Sequence, residues 1–347
     1  MPRPTTARPV RSRACSATIS SSSKRTPAPR SRRQAHTSRF VVTGVVLLFL
    51  LAGGAGAQTP IPKCLGETAT IIGTEGNDVL TGTDDDDVIV GLGGDDIING
   101  GPEGFATDAL CGGEGNDVLS GGNGLIAGLS GDGGDDRLVP GDVAFALAVY
   151  LDSPTPISVD LATGTATGWG TDTVVGIDSV IGSQFDDVLA GNARPNLLDG
   201  RGGNDRLTGL AGRDALDGDT GNDVLDGGAG PDYALFGAPR GVRVDLGRGT
   251  ATGWGTDRLV SIESAEGSRF ADVLRGSNGV NQLEGAGGND AVTGLGGNDN
   301  LSGDAGNDRL AGGAGRDRLD GGAGRDQGDG GPGQDRCVKI ERKKRCP

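Results

Sequence analysis

Residues 303–320 read GDAGNDRLA followed by GGAGRDRLD, two copies of a nine-residue unit G-G-x-G-x-D-x-U-x in which U is aliphatic. The unit returns at Gly73–Thr81 (GTEGNDVLT), Gly112–Ser120 (GGEGNDVLS) and Gly200–Thr208 (GRGGNDRLT). A short fixed period marks stacked repeats rather than one globular core. Glycines at the first, second and fourth positions permit left-handed backbone and close packing of one coil on the next. The x-U-x tail is a very short strand, and alternation along it turns the aliphatic residue inward. Two units make one coil with a turn at each end. The expected fold is all-β, a right-handed parallel β-roll or β-helix solenoid.

Composition agrees with a thin, repetitive core. The chain has 347 residues, 68 of them Gly, with only 7 Phe, 2 Trp and 2 Tyr. Gly does not recur every third residue, so collagen is excluded. A Gly-rich acidic chain is also the composition of disorder, and the strict period makes disorder the expectation only without bound metal. Charge is segregated. Residues 1–57 hold ten of the 32 Lys and Arg and no Asp or Glu, which leaves 22 basic against 47 acidic residues, a balance of −25. So acidic a body repels nucleic acid and attracts cations.

The repeats divide the chain into blocks. The reading is a basic leader with a signal peptide over 1–57, β-roll blocks over 58–139, 182–235 and 267–338, β-rich spacers over 140–181 and 236–266, and a basic Cys-bracketed cap over 339–347. The spacers are related: GTATGWGTD stands at Gly164–Asp172 and again at Gly249–Asp257. The same offset carries Trp169 to Trp254, Phe185 to Phe270 and Asn196 to Asn281, so spacer and repeats were duplicated together. The stretches ISVDLA (Ile157–Ala162) and VRVDLG (Val242–Gly247) alternate as strands do, and are expected to continue the solenoid or to cap it. The matched tryptophans read as core fillers.

In the leader the apolar run Phe40–Ala52 precedes Ala55-Gly56-Ala57, an A-x-A cleavage pattern. The run is short of the roughly 20 residues a bilayer span needs, so membrane contact is expected only through the leader and the mature chain is expected outside the cell. Four cysteines follow the leader. Proximity along the solenoid pairs Cys64 with Cys111 and Cys337 with Cys346, the alternative being free thiols.

The sixth position of the unit is where metal chemistry enters. Stacked strands lie ~4.8 Å apart, so aspartates eighteen residues apart would share one side of the roll and repel unless a cation joins them. Carboxylates with backbone carbonyls make an all-oxygen cage suited to Ca²⁺, whereas Mg²⁺ demands stricter octahedral geometry. Zinc and copper favour His or Cys, and the sole His, His36, lies in the leader. The candidate ligands are Asp78, Asp87, Asp96, Asp108, Asp117 and Asp136 in the first block, Asp187, Asp205, Asp214, Asp223 and Asp232 in the second, and Asp272, Asp290, Asp299, Asp308, Asp317, Asp326 and Asp335 in the third. Asn196 and Asn281 keep an oxygen and lose the charge, which predicts weaker or incomplete sites.

On these units the chain resembles the RTX family, secreted proteins whose glycine-rich nonapeptides bind calcium and fold as a parallel β-roll. The resemblance implies the metal role for the aspartates named above, multiple Ca²⁺ ions as the cofactor, and secretion. It departs from many members in its N-terminal signal and in showing no catalytic or toxin domain ahead of the repeats. No segment outside the repeats is long enough for such a domain, and the missing His disfavours zinc proteases and Ser-His-Asp hydrolases. The expected role is therefore structural, adhesive or surface-associated and not enzymatic. The alternative is binding or processing of cell-surface or extracellular polysaccharide.

Overall fold

The computed structural model describes residues 61–102 and 106–346. The leader, with Cys15, His36 and the proposed signal peptide, lies outside the described residues. Every element is a strand, and most strands are three residues long. They form a parallel β-solenoid. Within a coil the two strands belong to two different sheets, as Val224–Asp226 and Tyr233–Leu235 do. Within each sheet a strand pairs in parallel with the one a coil away, Leu207 against Leu225 and Leu198 against Leu216. One sheet has 14 strands, from Ile71–Ile72 to Arg336–Val338. The other runs from Val79–Thr81 to Arg342–Lys344.

The x-U-x pattern sets the core. In each triplet the middle residue points between the sheets, and Leu189, Leu198, Leu207, Leu216 and Leu225 are fully or almost fully buried. One continuous cluster of such residues runs from Ile89 to Ile340. Because each coil contributes so few apolar side chains, a hole in the stack has no neighbour to fill it. Leu216→Ala is expected to cost about 2–5 kcal/mol, the range for buried leucine truncation, in equilibrium urea unfolding. A loss under about 1 kcal/mol would mean that the stack collapses around the gap.

The spacers continue the solenoid, but not as plain coils. In the first, Arg137 pairs in parallel with Thr173. Thr171–Thr173 then runs antiparallel to Thr165–Thr167, which runs antiparallel to Ser158–Asp160. Ser158–Asp160 resumes parallel pairing with Val188–Ala190. Three inserted strands, an odd number, preserve the polarity of the ladder. The second spacer repeats the arrangement with Thr256–Val260, Thr250–Thr252 and Arg243–Asp245. The opposite sheet passes each insert as an unbroken parallel ladder, through Phe145–Val149 to Ser179–Ile181 and through Tyr233–Leu235 to Ser264–Glu266. The alternating apolar residues Ile157, Val159, Leu161, Val242 and Val244 face the core. Trp254 is half-buried against that core, and Trp169 is also half-buried.

Both disulfides form. Cys64–Cys111 ties a small antiparallel hairpin, Lys63–Cys64 with Glu67–Thr68, onto the outer face of the first sheet, where Val88 and Val90 are covered. Cys337 occupies an inward position of the last repeat and bonds Cys346. The tail between them adds Arg342–Lys344 as the final strand. Arg345 forks onto both Asp329 oxygens at 2.6 Å and holds that carboxyl well below its usual range. A terminal strand of Arg and Lys discourages edge-to-edge pairing with other chains.

Candidate metal centres

Most turns place the sixth-position aspartate in the same way. One carboxylate oxygen, Oδ1, accepts the backbone N–H of the aspartate one coil earlier: Asp299 N donates to Asp317 at 3.0 Å, and Asp317 N to Asp335 at 3.0 Å. The ladder tolerates insertions, because Asp87 N reaches Asp108 and Asp96 N reaches Asp117 across 21 residues. The other oxygen, Oδ2, turns into the protein. In Asp96, Asp117, Asp136, Asp205, Asp214, Asp223, Asp232, Asp290, Asp299, Asp308, Asp317, Asp326 and Asp335 that atom is buried and has no hydrogen-bond partner. Thirteen such orphans are far from the usual state of buried polar groups, which are paired.

The first-position glycine shows what the orphan faces. A β-carbon on Gly330 would stand 2.5 Å from Asp335 Oδ2 and would also press on the Arg345 carbonyl. A β-carbon on Gly312 would lie 2.6 Å from the Gly330 carbonyl oxygen and press on Asp317 Oδ2. A carboxylate oxygen and a carbonyl oxygen from the next coil thus converge on a volume that only glycine leaves open. Among the described residues no three His, Cys, Asp or Glu side chains converge on one point. The donors in view at these turns are hard oxygens, a carboxylate and a carbonyl, and they fit calcium rather than a metal seeking nitrogen or sulfur.

Turn conformation varies in step. In the units of the thirteen orphans the second residue has a positive φ, and in eight it is not glycine, as with Leu92 (84°), Leu210 (73°) and Leu295 (82°). Left-handed backbone costs roughly 1–2 kcal/mol at a residue with a β-carbon, so something must hold these turns.

Without a cation, burial raises the carboxyl pKa values. Asp205 is pushed to about 8, and Asp136 and Asp290 to about 7. Asp117, Asp214, Asp223, Asp299 and Asp308 are pushed to about 6. Desolvation is the main cause. The Oδ1 hydrogen bond opposes it, and neighbouring aspartates add to it.

Four of the eighteen predicted aspartates differ. In Asp78, Asp87, Asp187 and Asp272 the Oδ2 atom accepts the backbone N–H of Thr74, Thr83, Ser183 or Ser268, each at 2.6 Å, and a hydroxyl from the same residue bonds the carboxylate. Asp108 is buried, and its Oδ1 is on the ladder. Asn196 and Asn281 keep the Oδ1 role toward their own turns, and each side-chain amide donates to a carbonyl, of Asp178 and Glu263, at 2.9 Å.

The ladder also contains residues outside the predicted set. Asp136 N donates to Asp172 and Asp223 N to Asp257, bridging 36 and 34 residues across the inserts. Glu263 and Glu341 receive the N–H groups of Asp232 and Asp326. The signal for the two aspartates lay inside the duplicated motif. TGWGTDTVV (Thr167–Val175) and TGWGTDRLV (Thr252–Val260) are repeat units with Thr for the first glycine. The glutamates carry no such signal.

A family model described as RTX calcium-binding nonapeptide repeat (4 copies) matches residues 72–102, 107–124, 181–216, 199–234, 266–301 and 302–337, half of the chain. All the candidate aspartates except Asp136 lie in these segments. No curated protein matches the chain.

Proposed function

We propose, from the premise that the chain belongs to the family of RTX calcium-binding nonapeptide-repeat proteins, that it is an exported structural or adhesive protein whose solenoid forms on binding several calcium ions. The observation that carries the reading is the row of thirteen buried Oδ2 atoms without partners. At each, the aspartate oxygen and the facing carbonyl would hold the ion. The bound ion supplies the positive charge that a buried carboxylate requires. Two disulfides support an oxidising destination. Extracellular modules bind calcium with Kd of about 10⁻⁴–10⁻³ M, so a chain held at cytosolic calcium would stay unfolded until export. In this reading the acidic turns serve the metal and no catalysis is assigned to the chain.

Calorimetric titration of the metal-free protein with calcium and with magnesium tests this. Calcium is expected to bind at several sites per chain with a cooperative transition, and magnesium to give little heat at equal concentration. Equal binding of both ions, or of neither, overturns the reading.

A further inference from the structure

We propose that the first coil of each run of repeats closes without metal, and that calcium loading begins on the second coil. The inference rests on the calcium reading above. Three runs begin, at Gly73, Gly182 and Gly267. Their first coils, residues 73–90, 182–199 and 267–284, hold six turns in which the sixth-position side chain is satisfied by the protein itself; in the first spacer Asp172, also at a sixth position, accepts the Tyr150 hydroxyl at 2.9 Å. Four close through the hydroxyl and N–H of Thr74, Thr83, Ser183 and Ser268. Two close through the amides of Asn196 and Asn281.

A second observation is independent of the side-chain bonds. None of the second-position residues of these turns, Thr74, Thr83, Ser183, Asn192, Ser268 and Ser277, has a positive φ, whereas every turn with an orphaned Oδ2 does. Without the left-handed backbone the second-position N–H donates back into its own turn, to Asp78 Oδ2 in the first unit and to Asn196 Oδ1 in the second unit of the second run at 2.7 Å. The left-handed conformation of the thirteen orphan turns accompanies an oxygen with no donor. The chain therefore carries two turn forms, one supplied with hydrogens and one open to a cation.

Position explains the division. A first coil has no earlier repeat turn beneath it. Asp187 and Asp272 receive Oδ1 hydrogen bonds from the backbone N–H groups of Ile157 and Val242, which immediately precede the spacer strands Ser158–Asp160 and Arg243–Asp245, and Asp87 receives one from the Thr70 hydroxyl. The carbonyl of the next coil still faces these turns, Gly200 O toward Gly182 and Asp187, and there hydroxyl and amide hydrogens supply the positive end that calcium supplies elsewhere. In Asn196 and Asn281 an aspartate would set a second oxygen against the carbonyl that the amide now bonds. Each first coil, stacked on its hairpin or spacer, then offers a preformed template on which metal-bound coils are laid down, the costly start of a repeat array being met without calcium.

The test is the number of calcium ions retained by the folded protein, counted by native mass spectrometry. Asp187→Asn with Asp272→Asn is expected to leave the wild-type number unchanged. Asp205→Asn with Asp290→Asn is expected to lower it by two. Hydrogen exchange followed through a calcium titration supplies a readout that needs no variant: segments 182–199 and 267–284 are expected to gain protection at lower calcium than 200–235 and 285–338. Loss of two ions from the first pair, or protection of first coils only together with or after the later coils, overturns the template. A wild-type protein that retains no calcium at all would instead remove the calcium reading on which it rests.

Discussion

Chelation of calcium at neutral pH is expected to convert the protein from a β-rich solenoid to an expanded chain, seen as loss of the far-ultraviolet β signal and growth of the radius of gyration toward roughly 60–70 Å, the value for an unfolded chain of this length. The size of the effect follows from the orphaned oxygens. A buried polar atom left without a partner costs about 1–3 kcal/mol, and more if charged. Thirteen of them amount to tens of kcal/mol, against a net stability of about 5–15 kcal/mol for an ordinary domain. Left-handed turns at eight non-glycine residues add to the deficit. Little is available to compensate, because each coil contributes few apolar side chains to the core. Adding calcium back is expected to restore the signal cooperatively in the range of about 10⁻⁴–10⁻³ M, since binding free energy here is folding free energy. A chain that stays β-rich and compact in chelator would show that the disulfides and the aliphatic stack suffice.

The features legible in the sequence are those that recur at fixed spacing. The period of the glycines and the inward aliphatic residue specify paired strands eighteen residues apart, and Leu198 on Leu216 realises that spacing. The cysteine pairs followed from nearness along the solenoid. Legibility failed where the consensus treats different residues as equivalent. At the second position Ser183 and Leu210 are both departures from glycine, yet one avoids positive φ and carries a donor while the other is left-handed at 73°. That difference depends on what lies beneath the turn, which a single unit does not encode. The spacers hid two units because Thr167 and Thr252 replace the first glycine, and because three mutually antiparallel strands interrupt the parallel ladder there. Glu341 illustrates a third limit: it meets Asp326 N at 2.6 Å from fifteen residues away, outside any nine-residue register.

Acidification is expected to act in opposite directions with and without calcium. In the metal-free chain the folded carboxyls sit above their usual values, with Asp205 at about 8, Asp290 at about 7 and Asp214 at about 6. An unfolded Asp titrates near 3.9, so the folded state binds more protons between these limits. The stability this supplies is fully present below about pH 4 and is lost as pH rises through about 6 to 8. A calcium-free sample brought from pH 8 to pH 5 is thus expected to regain β signal as protons take the place of the cation and the acidic body loses charge. With calcium present, the same protons compete for the same oxygens. Binding must release them, so the calcium midpoint is expected to rise as pH falls, by up to tenfold per unit at a site whose carboxyl stays protonated. Calcium titrations followed by circular dichroism at pH 5, 6.5 and 8 check both arms. A midpoint independent of pH would mean that the carboxyls are already ionised in the metal-free chain, so that calcium binding releases no protons.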